Sequence, residues 1–234
     1  LPNRVDSENI IAMSEEPLPI SLPEDGLPLL VTVANVREEK NHLRQVAAMQ
    51  RLFSEGLRFR WVNIGSLANA PLVEKLRRAV RDAGLEDYFT LTGPLDNPYG
   101  VMRRADAVCV LSDHESWSMV ISEAKALGVP VIATRTSGAL EQIEDGKNGI
   151  LCGFSTRECT RAIRTFLTGS TADAMRRTKE PHTADNAAGT LEALLENNTK
   201  QVLYVFDDIN YASGARAAAL AQARAVSGVA EVWI

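Results

Sequence analysis

Strand-like and helix-like segments alternate regularly along this 234-residue chain. Apolar runs of strand length are separated by segments whose apolar residues recur at helical spacing. The predicted strands are 29–36, 57–64, 88–92, 107–111, 129–133 and 150–152, and the predicted helices between them are 41–55, 71–83, 99–104, 118–127 and 141–144. Units of about 20–30 residues in which strands alternate with helices are typical of parallel sheets. The sequence therefore predicts an α/β fold, a Rossmann-like parallel sheet with helices on both faces.

The segments on either side of this alternation differ from it. Residues 1–27 are polar and rich in proline, which is typical of a linker or an extended arm. Residues 28–200 hold the predicted domain and end in a polar stretch. A new strand and an alanine-rich helix within residues 201–234 predict the start of a second Rossmann-like domain. Because the chain begins with leucine and ends in an apolar run, we expect a fragment with one complete domain and pieces of two others.

Composition and missing motifs argue against several classes of protein. With 25 Lys and Arg against 30 Asp and Glu, the net charge of -5 disfavours a nucleic-acid-binding protein. No apolar run approaches the ~18 residues that span a bilayer, and no secretory signal is visible. We therefore expect a cytoplasmic protein, or one peripheral at the inner face of the membrane. The sequence motifs of the hydrolase nucleophile elbow, the P-loop and the dinucleotide-binding loop are all missing.

The cysteines and histidines do not indicate a metal centre. Three widely spaced cysteines, two of them inside apolar runs, are typical of free buried thiols in a reducing compartment. The three histidines are isolated from one another and from any CxxC motif, so a metal site has almost no support. These residues are Cys109, Cys152 and Cys159, and His42, His114 and His182.

Glu123 is the most informative acidic residue. Ligands bind beyond the carboxyl ends of the strands in such sheets, and Glu123 lies in the helix that follows the fourth predicted strand. Its neighbours at helical spacing are apolar, and a carboxylate on an apolar face costs several kcal/mol unless it is hydrogen-bonded. Two ribose hydroxyls would satisfy it, and so would a backbone amide or an arginine. The residues alone leave these two interpretations equal.

Several backbone groups after the predicted strands are suited to an anion. Ser116 or Ser118 can cap the following helix and leave the amides of Ser118 and Met119 pointing outward, as at many phosphate sites. Capping alone is the alternative. Ser137 and Gly138 follow the fifth predicted strand, where small residues allow the backbone to approach a second anion closely.

Lys40 and Gly65 follow the first and second predicted strands. Lys40 can reach the same pocket as a point charge on phosphate, although a lysine in a polar loop is most often merely solvated. The loop at Gly65 is permissive but unspecific. Together with Glu115 and Glu123, these groups indicate a pocket for a phosphorylated, hydroxyl-rich ligand.

The spacing of the two acids carries a family resemblance. Glu115 and Glu123 are separated by seven residues and resemble the Glu-x7-Glu signature of the family 4 retaining glycosyltransferases. Three further segments are similar to parts of that family, so that the resemblance covers most of residues 1–200. They are VANVREEKN at 33–41, which resembles its first strand and lysine loop, SGALEQIEDGKNG at 137–149, and LPNRVD at 1–6, which resembles the segment joining its two domains.

The resemblance implies a GT-B fold, in which two Rossmann-like domains face each other across a cleft, and it implies that this chain holds the carboxy-terminal, donor-binding domain. It implies that Glu123 holds the ribose hydroxyls of the donor, Lys40 its diphosphate, and Glu115 the transferred sugar. Because Lys40 and a helix N-terminus can balance the charge of the leaving group, the resemblance implies no metal or other cofactor.

The resemblance also implies backbone contacts and shows one departure. The amides of Ser118 and Met119 would help to bind phosphate, and the chain near Leu95 would meet the base. The family normally has an arginine five residues before its lysine, whereas this chain has Asn35 there and Arg37 two residues out of register. If Arg37 does not reach the diphosphate, the stabilisation of the leaving group would be weaker here or would come from another residue.

The resemblance therefore implies a retaining glycosyltransferase that moves a hexose from a UDP- or GDP-linked donor to a glycan or lipid-linked acceptor, as in surface polysaccharide assembly. The acceptor domain would lie amino-terminal to this chain, so we expect the fragment to bind donor but to transfer poorly or not at all. The alternatives are a nucleotide-sugar epimerase of GT-B fold and a non-catalytic module that binds sugar nucleotides. Residues 201–234 prompt the hypothesis of a second transferase module.

Overall fold

A computed structural model describes residues 5–169 and Met175, and its centre is a parallel sheet of six strands. The strands are β1 (Leu29–Val33), β2 (Arg60–Ile64), β3 (Phe89–Gly93), β4 (Ala107–Val110), β5 (Val131–Thr134) and β6 (Gly149–Cys152). The helices are α1 (Ser7–Ser14), α2 (His42–Ser54), α3 (Ala70–Asp82), α4 (Tyr99–Arg104), α5 (Met119–Ala126), α6 (Ser137–Gln142) and α7 (Thr156–Thr168), and a 3-10 turn covers Glu38–Lys40. The predicted Rossmann-like α/β fold is confirmed.

The sheet is buried on both faces because its strands are apolar at nearly every position. In β4, Val108 and Val110 pack on one side of the sheet while Ala107 and Cys109 pack on the other. Helices α2, α3 and α7 cover the side of Cys109, and α4, α5 and α6 cover the opposite side. Each valine or leucine removed from water in these layers contributes about 1.5–3 kcal/mol of transfer free energy.

The order of the strands places a topological switch point at the centre of the sheet. The order is β3-β2-β1-β4-β5-β6, so that β1 lies beside β4 and the chain winds outward in both directions from this pair. A buried hydrogen-bond chain ties the three central strands: Trp61 Nε1 donates to Thr32 Oγ1 at 3.1 Å, and Thr32 Oγ1 donates to the carbonyl of Cys109 at 3.0 Å. Ligands of such sheets bind where the carboxyl ends of the two switch-point strands separate.

The amino-terminal segment differs from its prediction as an extended arm. Residues 7–14 form α1, because the carboxylate of Asp6 caps the helix by accepting from the amide of Asn9 at 3.0 Å. Helix α1 lies against α4 and α5, where Ile10 is buried. The apolar side chain of Leu18 then packs against the layer formed by α4 and α5. Part of the predicted linker is therefore packed on the domain.

Two other elements differ from the sequence-based expectation. Helix α6 begins at Ser137 rather than at residue 141, because the Thr136 side chain caps the amide of Ala139 at 3.3 Å. Helix α7 was not predicted, although Ser155 and Glu158 form a capping box at its start. The strand and the alanine-rich helix predicted within residues 201–234 lie outside the described residues. Within residues 5–169, no helix is both long enough and apolar enough to cross a membrane.

Candidate functional site

Lys40 and Glu115 meet directly across the switch point. Lys40 ends the turn after β1, and Glu115 lies in the loop between β4 and α5. The Nζ of Lys40 lies 2.5 Å from Glu115 Oε1, and the hydroxyl of Ser112 donates to the same oxygen at 2.8 Å. Asn41 follows Lys40 in the left-handed conformation (φ 54°), which asparagine tolerates, and this bend starts α2 directly behind the lysine. The side chains of the pair are 25% and 13% exposed, so a ligand can reach both.

Residues 112–118, which we call the acid loop, are held on one side by the start of α2. Arg44 donates to the carbonyl of Leu111 at 3.0 Å and to Asp113 Oδ1 at 2.7 Å, and the amide of Asp113 donates to the carbonyl of Glu39 at 2.8 Å. Burial alone would raise the pKa of Asp113, but hydrogen bonds from Asn41 and Arg44 hold that pKa below its ordinary value. The acid loop and the lysine turn are therefore one connected unit.

On the other side, the acid loop is held by α6. The carbonyl of Glu115 accepts from the amide of Gly138 at 2.9 Å and from the hydroxyl of Ser137 at 3.1 Å. A Cβ on Gly138 would lie 2.8 Å from the carbonyl oxygen of Ser116, so glycine is needed for this approach. We expected Ser137 and Gly138 to offer an anion site. The structure instead gives the Gly138 amide and the Ser137 hydroxyl a partner within the chain.

The two amides predicted at the start of α5 differ in their availability. The amide of Ser118 is buried and donates to Gln142 Oε1 at 3.0 Å, so the expectation of a free Ser118 amide is wrong for this structure. Met119 is the first residue of α5, where the amide has no helical acceptor, and no described residue provides one. Sequence reasoning missed Gln142, because an isolated glutamine in a short helix carries no pattern.

Glu123 lies one turn into α5 and has a neutral partner. The hydroxyl of Tyr99, at the start of α4, lies 3.3 Å from Glu123 Oε1. Burial raises the pKa of Glu123 above its ordinary value, and the hydrogen bond from Tyr99 opposes this rise. Burial and the adjacent Glu123 raise the pKa of Tyr99, which keeps the phenol as the hydrogen-bond donor. The carboxylate is thus held in an apolar setting with unused acceptor capacity, and Tyr99 is a second residue that the sequence did not reveal.

The remaining predicted residues lie along the same edge of the sheet. Asn35 Oδ1 accepts from the amide of Ser66 at 2.9 Å, which joins the loop after β1 to the loop after β2. A Cβ on Gly65 would collide with the carbonyl of Ala34, so glycine is needed there for close packing of the two loops. Leu95, in the loop after β3, is half-buried against the layer of α4 and α5.

Arg37 and His42 complete the surroundings of Lys40. Arg37 is exposed and its guanidinium makes no hydrogen bond with a described residue, and it borders an open cleft of about 440 Å³ that also includes Asn35 and Ser66. His42 is buried at the start of α2, where burial and the adjacent Lys40 ammonium lower its pKa to about 4. The imidazole is therefore neutral near pH 7, which leaves Lys40 as the positive charge at this point.

Within the described part of the chain, no group of three or more His, Cys, Asp or Glu side chains is arranged to hold a metal ion. A second open cleft, of about 330 Å³, lies on the far side of the acid loop and includes Glu115, Ser137 and Phe154. The described residues thus form an open edge of the sheet, where Lys40 contacts Glu115 and where Glu123 is held by Tyr99.

The fold and this edge define a Rossmann-like domain of the kind found in GT-B glycosyltransferases. The chain belongs to the family of glycosyl transferases group 1, whose model matches residues 14–182. One relative is the N-acetyl-alpha-D-glucosaminyl L-malate synthase of Bacillus anthracis, which is 30% identical over 138 residues covering 58% of this chain and 35% of the relative. The chain thus spans about a third of the length of that curated relative.

Solved structures show the same fold. Anabaena HepE in complex with UDP-glucose has a TM-score of 0.59 and 21% identity over 66% of this chain and 43% of that protein. The C-terminal domain of the group 1 glycosyl transferase LpcC from Francisella tularensis has a TM-score of 0.58 and 20% identity, over 65% of this chain and 83% of that domain.

Proposed function

We propose that this chain is the donor-binding part of a family 4 retaining glycosyltransferase, which moves a hexose from a nucleotide sugar to a glycan or lipid-linked acceptor. The observation that carries the proposal is the contact between Lys40 and Glu115 across the switch point, where ligands of such sheets bind. The bound state of HepE, whose complex contains UDP-glucose, supports a nucleotide sugar as the ligand.

In this proposal Lys40 binds the diphosphate, which is the leaving group of the transfer. Lys40 now neutralises Glu115, and a donor diphosphate placed beside it would share the ammonium as a stronger, doubly charged partner. Lys40 and the amide of Met119 would then balance the charge that develops on the diphosphate as the sugar bond breaks. We propose that these two groups act without a metal ion or other cofactor.

The two carboxylates would bind different parts of the donor. Glu123 keeps unused acceptor capacity beside Tyr99 and would accept from the ribose hydroxyls. Glu115 is fixed by Lys40 and Ser112 and would accept from hydroxyls of the transferred sugar. The chain near Leu95 would meet the base, which we propose to be uracil or guanine.

The proposal includes partners outside this chain. An amino-terminal acceptor domain would supply the acceptor site, and the parent enzyme would work in the cytoplasm or at the inner face of the membrane. We expect the 234-residue chain alone to bind donor but to transfer sugar slowly or not at all. Transfer would be restored when the full-length protein is assayed with the same donor.

Calorimetry with UDP-glucose, GDP-mannose, UDP and GDP tests the donor site. We expect one of the two nucleotide series to bind with micromolar to millimolar affinity, and the other more weakly. ATP, which carries a similar charge, is the control for non-specific binding. If none of the sugar nucleotides binds, the donor-site proposal is wrong.

A non-catalytic module that binds sugar nucleotides is the second candidate, and the contact of Asn35 favours it. Asn35 is engaged with Ser66, and the guanidinium of Arg37 has no hydrogen-bond partner among the described residues, so no cation stands at the position where the family normally has its arginine. Asn35→Arg would restore it. A large gain in donor affinity would support a degenerate site, whereas an unchanged affinity would support a site that works as it stands.

A further inference from the structure

Gln142, at the end of α6, uses its whole side-chain amide on the start of α5. Its Oε1 accepts from the amide of Ser118 at 3.0 Å, and its Nε2 donates to the carbonyl of Ser118 at 2.9 Å and to the hydroxyl of Ser122 at 2.8 Å. Gln142 is only 4% exposed, so these bonds form away from water. An acceptor at this position is required, because the amide of Ser118 would otherwise be buried without a partner, whereas its carbonyl also accepts from the amide of Ser122 at 3.3 Å.

The same short helix holds the acid loop at a second point. The amide of Gly138 and the hydroxyl of Ser137 bind the carbonyl of Glu115, three residues before Ser118. Helix α6 therefore fixes both ends of the segment 115–118 between the two carboxylates. The position of Glu123, one turn further along α5, follows from the same contacts.

We propose that Gln142 is a positioning residue of the donor site, which ties α5 to α6 and takes the amide of Ser118 out of reach of the donor phosphate. This inference rests on the proposed function, because the phosphate is that of the proposed nucleotide sugar. Contact between phosphate and α5 then begins at the amide of Met119, one residue later than the sequence predicts. A shift of this size matters, because misplacement by about 1 Å can cost on the order of a hundredfold in rate.

Backbone amide NMR of the 234-residue chain, with and without UDP or GDP, measures this directly. In the unmodified chain, we expect slow hydrogen exchange at the Ser118 amide in both states, and a larger nucleotide-induced shift at Met119 than at Ser118. If the nucleotide instead abolishes the protection of Ser118, the side chain of Gln142 gives way to the ligand and the inference is overturned.

Two variants of Gln142 separate its roles. Gln142→Leu removes all three hydrogen bonds of this side chain, so exchange at Ser118 should become about tenfold faster, and the nucleotide should then shift the Ser118 amide as well. Gln142→Glu keeps an acceptor for that amide but adds a negative charge, so protection should remain while nucleotide affinity falls about tenfold. Gln142→Glu also serves if the leucine variant does not fold.

Gln45→Leu is the matched control, because Gln45 is another fully buried glutamine, in α2, whose side-chain polar atoms have no hydrogen-bond partner among the described residues. Gln45→Leu should leave the hydrogen-exchange rate of the Ser118 amide unchanged. Unchanged exchange at Ser118 in Gln142→Leu would refute the inference. If no nucleotide binds the unmodified chain, the proposed function fails, while the exchange comparison without ligand still decides whether Gln142 holds Ser118.

Discussion

The two acids of α5 and its preceding loop lie eight positions apart but are held in opposite ways. Glu115 contacts a cation, Lys40, and receives a second hydrogen bond from Ser112. Glu123 has no cation among its described contacts and is held by the phenol of Tyr99 alone, with its pKa raised by burial. The charge of Glu115 is neutralised within the chain, whereas the cost of burying the charge of Glu123 is not offset by a described cation.

This difference indicates that the two carboxylates are suited to different parts of a ligand. A carboxylate that is paired with a lysine must share that lysine when an anionic ligand arrives, so the pair at Glu115 is suited to respond to phosphate. A buried carboxylate without a cation gains most from neutral hydroxyl donors, so Glu123 is suited to a ribose. Variants that remove the partner of each acid in turn test whether the two acids have different roles.

Removing the cation should have the largest effect. Lys40→Met deletes the one cation that contacts Glu115 among the described residues, and hydrogen bonds to charged groups are worth about 1.5–3 kcal/mol. We expect UDP and UDP-glucose to bind about 10- to 100-fold more weakly, as measured by calorimetry. Lys147→Met is the control, because Lys147 forms an exposed pair with Glu144 at 2.6 Å, and it should change nothing. Equal affinity of the Lys40 variant and the unmodified chain would contradict the phosphate role.

Glu123→Gln should move binding and stability in opposite directions. The amide keeps one acceptor but loses its charge, so UDP affinity should fall about tenfold. The raised pKa means that the folded state binds a proton more tightly than the unfolded state, so Glu123 lowers stability as the pH rises above 4.5, the ordinary pKa of glutamate. Urea unfolding should therefore show a more stable variant at pH 7, with the gain lost at pH 4.

The control for this change is Glu74→Gln. Glu74 pairs with Arg81 at 3.3 Å on the exposed face of α3, so its replacement should alter neither the affinity nor the free energy of unfolding by a measurable amount. A Glu123→Gln variant that is less stable at pH 7 would show that the carboxylate is satisfied in the folded chain, and the proposed cost would be absent.

Tyr99→Phe should have a smaller effect that depends on pH. The phenol opposes the rise in the pKa of Glu123, so its loss raises that pKa further and protonates more of the carboxylate in mild acid. We expect UDP affinity to fall about three- to fivefold at pH 8, and more than that at pH 6. Tyr88→Phe, before β3 at the other end of the sheet, is the control. A loss that is the same at both pH values would separate Tyr99 from Glu123.

The general fold follows from the sequence because it depends on repeated patterns. The six strands and helices α2 to α5 are marked by apolar runs and helical spacing over many residues, and α4 lies at the predicted residues 99–104. The elements that the sequence did not predict correctly depend on local capping contacts. Helix α1 depends on one capping contact from Asp6, and α6 begins earlier because of one from Thr136, and neither contact leaves a periodic signal.

Some features of the site could also be predicted from the sequence, and others could not. That Lys40 and Glu115 would lie at the same edge follows from their places after strands, but their direct contact depends on the left-handed turn at Asn41. The occupied amide of Ser118 could not be predicted, since it depends on Gln142, a residue 24 positions away that meets α5 only after the sheet has formed. Pairings between separate elements are set by packing, which spacing along one segment does not encode.

Ser112→Ala should have the smallest effect, and it best separates the roles of Glu115 and Glu123. Ser112→Ala removes one hydrogen bond to Glu115 and leaves the Lys40 contact in place, while the carbonyl of Ser112 keeps its bond from Thr134. If Glu115 serves the transferred sugar, affinity for UDP-glucose should fall about two- to threefold while affinity for UDP stays constant, and in Tyr99→Phe both should fall together. Paired titrations of the two ligands on each variant measure this. Equal losses for UDP and UDP-glucose in Ser112→Ala would mean that Glu115 acts on the nucleotide through Lys40, and the two acids would then share one role.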